Sequence, residues 1–592
     1  IAENYDNGAL VVTADGPVSG GVGSGVLLFN SGTDLFVELG GDVTGAVDGL
    51  YAVQEGSGDT TIFTGGTIDG GTGSAIRLEA VPGGRVSIAN SGTLTSAGPT
   101  ISITGTGASI ANPGTVIGNV VTDGGADLFA NTGLFAMTRD SDFGGGADVF
   151  ENSGTVRVTG TIALDGLEQF ANAGLIDLAD GTSGDSLGIA GDYAGSGGTV
   201  ALDVDLSAMG ADNLVIGGAA TGSTAIDLAL DGAVPAFGSI LLVDAGAGTG
   251  AEAFSLANAV PVGFVDYTLE FAAPGNDFLL AIAPAAAAYD PLRMGEGAMQ
   301  LWYRSADAWA AQMEASRDGA AAPAWVQFYG QMAERDGDGG IDTGTGSVAL
   351  ALDYDQDFFG AQAGLEFGAQ GGPRFGLTGG YLSSQLHLDG TGGSGAHFDV
   401  LNIGAYASIG GKEGFFASLL GKYDRIDGEA FARTPSYRAD LDGDAWGARL
   451  LVGYRAGNEA FFVEPKAGIE YQRTAIDSFE AYASRFEFSD FDGLRGMAGA
   501  RIGTSLPSGV NTVELSLGAQ AVHEFDGKGR LTFTTGAARD SFTDEAPGTY
   551  ARIDTRVSIS GPGPVSGFIA ATADLGENGT GFGGHAGLRL RF

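Results

Sequence analysis

From residue 324 onward the chain alternates apolar and polar side chains with a period of two. In 512–525, Val513, Leu515, Leu517, Ala519 and Ala521 share one face, and Glu514, Ser516, Gln520 and Glu524 share the other. The same alternation sets Phe461, Val463, Ala467, Ile469 and Tyr471 against Glu464, Lys466, Glu470 and Gln472. It also sets Ala551, Ile553, Val557 and Ile559 against Arg552, Asp554, Arg556 and Ser558. Successive side chains of a strand point to opposite faces, so each run predicts a strand between an apolar and a polar medium. Twelve strands are expected, near 324–333, 357–367, 373–388, 396–410, 413–426, 441–455, 459–473, 491–506, 511–525, 549–560, 564–575 and 580–592. Short connections (Gly368–Gly372, Gly411–Lys412, Ala456–Asn458, Pro507–Val510) alternate with long ones (Glu334–Gln356, Asp427–Asp440, Thr474–Asp490, Asp526–Gly548). Gly576–Gly579 is short where a long one is due. An even set of strands joined in this way predicts a closed antiparallel barrel in a membrane. No run of 18 apolar residues offers a transmembrane helix instead.

In such a barrel the apolar face meets lipid. Glu464, Lys466, Glu470, Glu514, Glu524, Arg552, Asp554, Arg556, Arg589 and Arg591 are then candidates to line the pore. The last strand puts Phe582, Ala586, Leu588, Leu590 and the terminal Phe592 on one face.

Just before the barrel, Asp290 and Pro291 form a helix start, an N-cap followed by a first-turn proline. Leu292, Met294, Met299, Leu301, Trp302 and Trp309 are spaced among polar residues up to 317, and Gly319 closes the segment. Twenty-seven residues of helix would be ~40 Å long, enough to cross a bilayer inside a pore. Gly295 and Gly297 weaken its first turns.

The first half carries a repeat. Phe29-Asn30-Ser31-Gly32-Thr33 returns around Asn90, Asn112, Asn131, Asn152 and Asn172, with gaps of 60, 22, 19, 21 and 20 residues. The long gap is read as three units of 20, two of which have lost the phrase. Asn tolerates a left-handed backbone and Gly takes positive φ freely, so the phrase suits a turn between short strands. Flanking apolar residues such as Phe150 and Val156 can share a core. Regular spacing favours a parallel β-solenoid over a sandwich, with asparagines stacked in a ladder.

Composition supports two kinds of domain. Of 592 residues 105 are Gly and 17 Pro, with 44% hydrophobic, which fits a turn-rich all-β chain. Net charge is −44, and residues 1–284 hold 33 acids against four arginines and no lysine. Such a surface repels nucleic acid. There is no cysteine, which excludes disulfides and thiol chemistry. A chain opening at Ile1 is read as having lost a leader peptide.

The ordered set of repeats, helix and barrel resembles the autotransporter (type V secretion) family. Trp325-Val326-Gln327-Phe328-Tyr329-Gly330, Val463-Glu464-Pro465-Lys466-Ala467-Gly468 and Val522-His523-Glu524-Phe525 resemble its translocator strands. Residues 192–284, with Ala211-Asp212-Asn213-Leu214-Val215-Ile216, resemble the conserved end of its passengers, which helps the solenoid fold outside the cell. The terminal aromatic of Gly581–Phe592 resembles an outer-membrane targeting mark. The resemblance implies an all-β fold: a right-handed parallel β-helix passenger (1–191), an autochaperone-like segment (192–284), a linker helix through the pore (285–319) and a 12-stranded barrel (320–592). It implies a Gram-negative outer-membrane location with the passenger at the surface. Implied partners are outer-membrane lipid, the barrel-assembly machinery, periplasmic chaperones and a surface ligand the sequence does not name.

The family includes passengers that are serine hydrolases. All four histidines (His387, His397, His523, His585) lie in the barrel, so residues 1–284 cannot supply a Ser-His-Asp triad. Gly184-Asp185-Ser186-Leu187 spells an esterase nucleophile motif by chance. Gly124-Gly125-Ala126-Asp127 and Gly145-Gly146-Ala147-Asp148 lack the second step of calcium nonapeptides and read as turns. Members that cut themselves in the pore use an Asn on the linker, and none occurs between Asn276 and Asn402. No cofactor is expected, and the passenger is expected to act as an adhesin or structural rod. The alternatives are a carboxylate-based glycan hydrolase, or a porin-like barrel with a periplasmic domain.

Overall fold

The computed structural model describes all residues except 259–262, 319–322, 343–346, 369–371, 390–392, 459, 544–547 and 592, and omits the side chains of 318, 338–342 and 347–351. It has two compact units, residues 1–260 with 266–283, and residues 261–265 with 284–592.

The first unit is a parallel β-solenoid of about ten turns. Its strands stack into a 13-stranded and a 20-stranded sheet. Like residues lie over like: Phe129, Phe150 and Phe170 are in register, as are Asn112, Asn131, Asn152 and Asn172. The phenylalanines form a buried column with ring centroids 4.8 and 4.7 Å apart, continued by Tyr193 at 5.9 Å. The asparagines form the expected ladder. Each Nδ2 donates to the Oδ1 of the next, from Asn90 through Asn112, Asn131 and Asn152 to Asn172, at 2.8–2.9 Å. The ladder starts on Thr64 Oγ1 and ends on the Tyr193 hydroxyl.

Two expectations are corrected here. Asn30 belongs to the other sheet, where it stacks between Asn4 and Gln54 at 2.7 Å each. The 60-residue gap therefore crosses from one column to another, and the first turns are longer, 24–26 residues between ladder partners. Nor do the phrase glycines adopt positive φ. A Cβ on Gly114, Gly133, Gly154 or Gly174 would lie 2.1–2.2 Å from a carbonyl oxygen of the turn below. Close approach of stacked turns, and not a left-handed backbone, is what requires glycine there.

Many acidic side chains do structural work at the corners. Asp59 Oδ1 accepts the Arg85 N–H, Asp127 Oδ1 that of Ala108, and Asp148 Oδ1 that of Asp127, all at 2.6–2.8 Å. A backbone donor left unpaired where strands turn is thereby satisfied by the neighbouring turn. The stack continues across residue 192 with longer strands, Asp192–Asp205 pairing in parallel with Ala220–Asp231. One sheet ends with Gly238–Ala245 antiparallel to Asp277–Pro284 and Val265–Ala272 beyond it at the edge.

The second unit is a closed barrel of twelve antiparallel strands. They are β1 Ala324–Arg335, β2 Tyr354–Gly368, β3 Arg374–Leu388, β4 Gly395–Ile409, β5 Gly414–Arg433, β6 Gly443–Gly457, β7 Phe462–Ile476, β8 Phe491–Ser508, β9 Asn511–Asp526, β10 Thr549–Ser560, β11 Val565–Gly576 and β12 Gly579–Leu590. Closure is made by β12 against β1, with Leu590 opposite Ala324.

The outward face is apolar, and the inward one mixes polar side chains with a buried apolar cluster of Phe416, Leu451, Met497 and Val522. Two aromatic girdles mark the outer wall. Phe415, Tyr454 and Phe461 lie by the short turns; Tyr381, Tyr423, Trp446 and Tyr471 lie toward the long connections, all exposed. Phe415 and Tyr423 are eight residues apart on β5, about 26 Å of strand before tilt, which fits the apolar band of an outer-membrane barrel.

The long connections are not irregular loops. Ser436–Asp440 pairs back on β5, and Phe479–Ala481, Ser484–Phe488, Arg530–Thr535 and Ala538–Thr543 form a four-stranded antiparallel sheet. One helix, α1 (Asp290–Asp318), runs down the barrel. None of the described helices is apolar enough to cross a membrane by itself.

Candidate functional site

The site is the lumen, and α1 fills it. Its N-terminal half meets the long-connection end, where Gly297 O accepts from Gln356 Nε2 at 3.1 Å. Gly295 and Gly297 allow that approach: a Cβ would lie 2.5 Å from the Phe491 ring and 2.3 Å from Leu386 Cδ1. Helix propensity is given up for contact with the wall.

Further down, two carboxylates seven residues apart share a helix face, because seven residues make nearly two turns. Asp307 is met by Arg449 at 2.6 Å, Arg552 at 2.7 Å and Arg495 at 3.7 Å. Glu314 is met by Lys466 at 2.7 Å, Arg556 at 3.1 Å and Arg501 at 3.9 Å. The reverse polarity occurs at Arg317, which donates to Glu464 at 2.6 Å and lies 3.7 Å over the Phe416 ring. Tyr303 receives Arg495 on its ring face at 3.8 Å. Lys422 bonds Ser305 Oγ at 2.7 Å and Asp424 at 2.5 Å, and lies 4.8 Å over the Trp302 ring. All these charges are paired, and all but Asp307, which keeps a slight exposure, are buried, as a low-dielectric lumen demands.

Nine of the ten candidate pore residues point into this network or beside it. Glu464, Lys466, Arg552 and Arg556 touch α1 side chains directly. Glu470 bridges Arg449 and Arg495; Glu514 pairs with Arg455, Glu524 with Arg495 and Arg589 with Glu366. Asp554 borders the gap next to Asp307 and Glu314. Arg591 differs: it follows the end of β12 and donates to the Gly561 carbonyl at the rim. Phe582, Leu588 and Leu590 face out from β12; Phe592 lies outside the described residues.

This arrangement is a pore with one segment of its own chain threaded through it. A profile of the autotransporter β-domain matches residues 324–572, and a profile of the type 1 autochaperone domain matches residues 167–269. The two are in family order and together span more than half of the chain. The chain is an autotransporter. Similar solved structures include the β-domain of the Bordetella autotransporter BrkA, at 19% identity, covering 46% of this chain and 100% of that one, TM-score 0.36. The translocator domain of NalP from Neisseria meningitidis gives 13% identity, 52% and 100% coverage, TM-score 0.40. The transport unit of AIDA-I from Escherichia coli gives 14%, 48% and 98%, TM-score 0.38. No curated protein matches in sequence.

Several autotransporter residues escaped the sequence reading: Asp307, Glu314 and Arg317 on α1, and Arg449, Arg495 and Arg501 on the wall. The available signal was a pair of acids at i and i+7 on a helix headed for a pore. In the passenger, Asp185 of the esterase-like motif spends Oδ1 on the Gly160 N–H at 2.8 Å. Asp127 and Asp148 are corner caps in the same way. Among the described residues no group of three acidic or histidine side chains is arranged to hold a metal ion.

Proposed function

We propose that the barrel carries its own passenger to the Gram-negative cell surface and keeps it there as an adhesin-like or structural rod. The observation that supports retention is the helix sealed into the lumen by paired charges, in a linker with no Asn between Asn276 and Asn402 for self-cleavage. The wall holds α1 through at least four side-chain contacts that a sliding chain would have to break together. The passenger has neither His nor Cys, and its repeated turns offer a long acidic surface, which suits contact with a ligand better than bond-breaking chemistry. Insertion is assigned to the barrel-assembly machinery, transit through the periplasm to chaperones, and the lipid-facing wall to the outer membrane.

Protease treatment of intact cells tests the reading. Degradation of residues 1–284, with a protected barrel fragment whose gel mobility shifts on boiling, is the expected result. A passenger protected in intact cells would place it in the periplasm and overturn the proposal. A passenger found free in the medium would overturn retention alone.

A further inference from the structure

Residues 261–265 group with the barrel, although the strands before and after them belong to the solenoid. The described part of this excursion carries one large side chain, Phe264, which is 1% exposed. Its surroundings are aromatic. The ring centroid lies 4.8 Å from Phe486, 5.3 Å from Tyr437, 6.1 Å from Tyr482 and 6.3 Å from Phe533, with interplanar angles of 67–78°. Four edge-to-face contacts around one ring match the quadrupoles of aromatic groups and distinguish a ring from an aliphatic side chain of similar volume.

The cage is drawn from three separate long connections. Tyr437 comes from the strand that folds back on β5, Phe486 and Tyr482 from the hairpin between β7 and β8, and Phe533 from the hairpin between β9 and β10. Phe479 braces it, stacked 4.7 Å from Phe486 and 6.0 Å from Tyr437. The Tyr482 hydroxyl donates to Ser436 O at 2.7 Å, tying two of the connections together. The approach is equally fitted. Gly263 has φ +65°, and a Cβ there would lie 3.0 Å from Tyr482 Cβ. The Phe264 carbonyl accepts the Ala285 N–H at 2.9 Å, joining the excursion to the start of the linker.

We infer that these connections form a receptor for an aromatic side chain and that Phe264 is its ligand, a latch fixing the chain between solenoid and α1. The outward placement of the latch rests on the export proposed above. Phe264 closes the cage once the segment has emerged, and the linker is then held at two points: in the lumen by charge and at the mouth by the ring.

The test uses the full chain in outer membranes, with proteinase K cleavage between residues 259 and 289 as readout. Boiling-dependent mobility confirms a folded barrel, and an N-terminal epitope reports export. Phe264→Ala and, on the cage side, Phe533→Ala are expected to raise the cleavage rate by about tenfold or more, because cleavage follows local opening. Phe264→Leu, which keeps burial and loses the ring, should fall between. The double variant should be no faster than the faster single. Equal rates in wild type and Phe264→Ala, with the barrel folded, would overturn the latch. If the wild-type epitope is absent from the surface, the export reading fails, and the same rates measured on purified chain in detergent still decide the latch.

Discussion

Asp307 is one carboxylate among three guanidinium groups, and its removal shows what the lumen charges are for. Arg449, Arg495 and Arg552 converge on it from β6, β8 and β10. Asp307→Asn keeps the size and leaves three buried cations short of an anion, a loss of about 3–5 kcal/mol for a broken buried pair. The temperature at which the barrel loses its folded gel mobility should drop, and Glu314→Gln should act the same way on Lys466, Arg501 and Arg556. An unchanged temperature in both variants would mean that water, and not the helix, balances these charges. At the other end of the chain, Asn131 donates to Asn152 and accepts from Asn112 in the ladder. Asn131→Leu leaves a buried acceptor on Asn152 without its donor, which should cost about 1–3 kcal/mol in thermal unfolding of the solenoid.

At the level of elements, α1 and the wall were fitted to each other at glycine. Gly297→Leu would raise helix propensity and at the same time collide with Leu386 on β3. The wall is expected to win: the barrel should fold, and α1 should be cleaved faster by protease in the variant than in the parent. Slower cleavage would show that propensity, not contact, limits the helix. The strands themselves were legible because each separates two solvents, so β9 announces itself through Val513, Leu515 and Leu517 against Glu514 and Ser516. Twelve strands came from such alternation, and the helix from its Asp290-Pro291 start and the apolar spacing that follows. The hairpins around Phe479 and Phe533 did not, since short strands paired only with each other leave no lipid face to read. Asn30 and Asn90 looked like one column because spacing records the turn and not the sheet on which it lies. The charge nests need register between β6, β7, β8 and β10, and residues more than 140 positions from Asp307 carry no local sign of it.

For the molecule as a whole, acidity and stability are linked through the solenoid corners. Asp127, Asp148 and Asp212 are held above the usual carboxylate range, chiefly by burial, against the lowering pull of the N–H groups they accept from. A carboxyl raised in the folded state binds its proton more tightly there than in the unfolded chain. Its contribution to stability is complete below the unfolded value of about 3.9 and is lost as pH rises through the raised one. The solenoid should therefore unfold at a higher temperature near pH 5 than at pH 8, the reverse of ordinary acid denaturation. Mutual repulsion within a chain of charge −44 acts in the same direction, and salt separates the two causes. Screening weakens repulsion between exposed groups over about 10 Å at 0.1 M and leaves burial untouched. The pH dependence should thus survive at high ionic strength in the parent and shrink in Asp148→Asn, whose amide oxygen still accepts the Asp127 N–H. A dependence that vanishes in salt would assign it to the surface charge, and one that Asp148→Asn leaves whole would clear the corner carboxylates of any part in it.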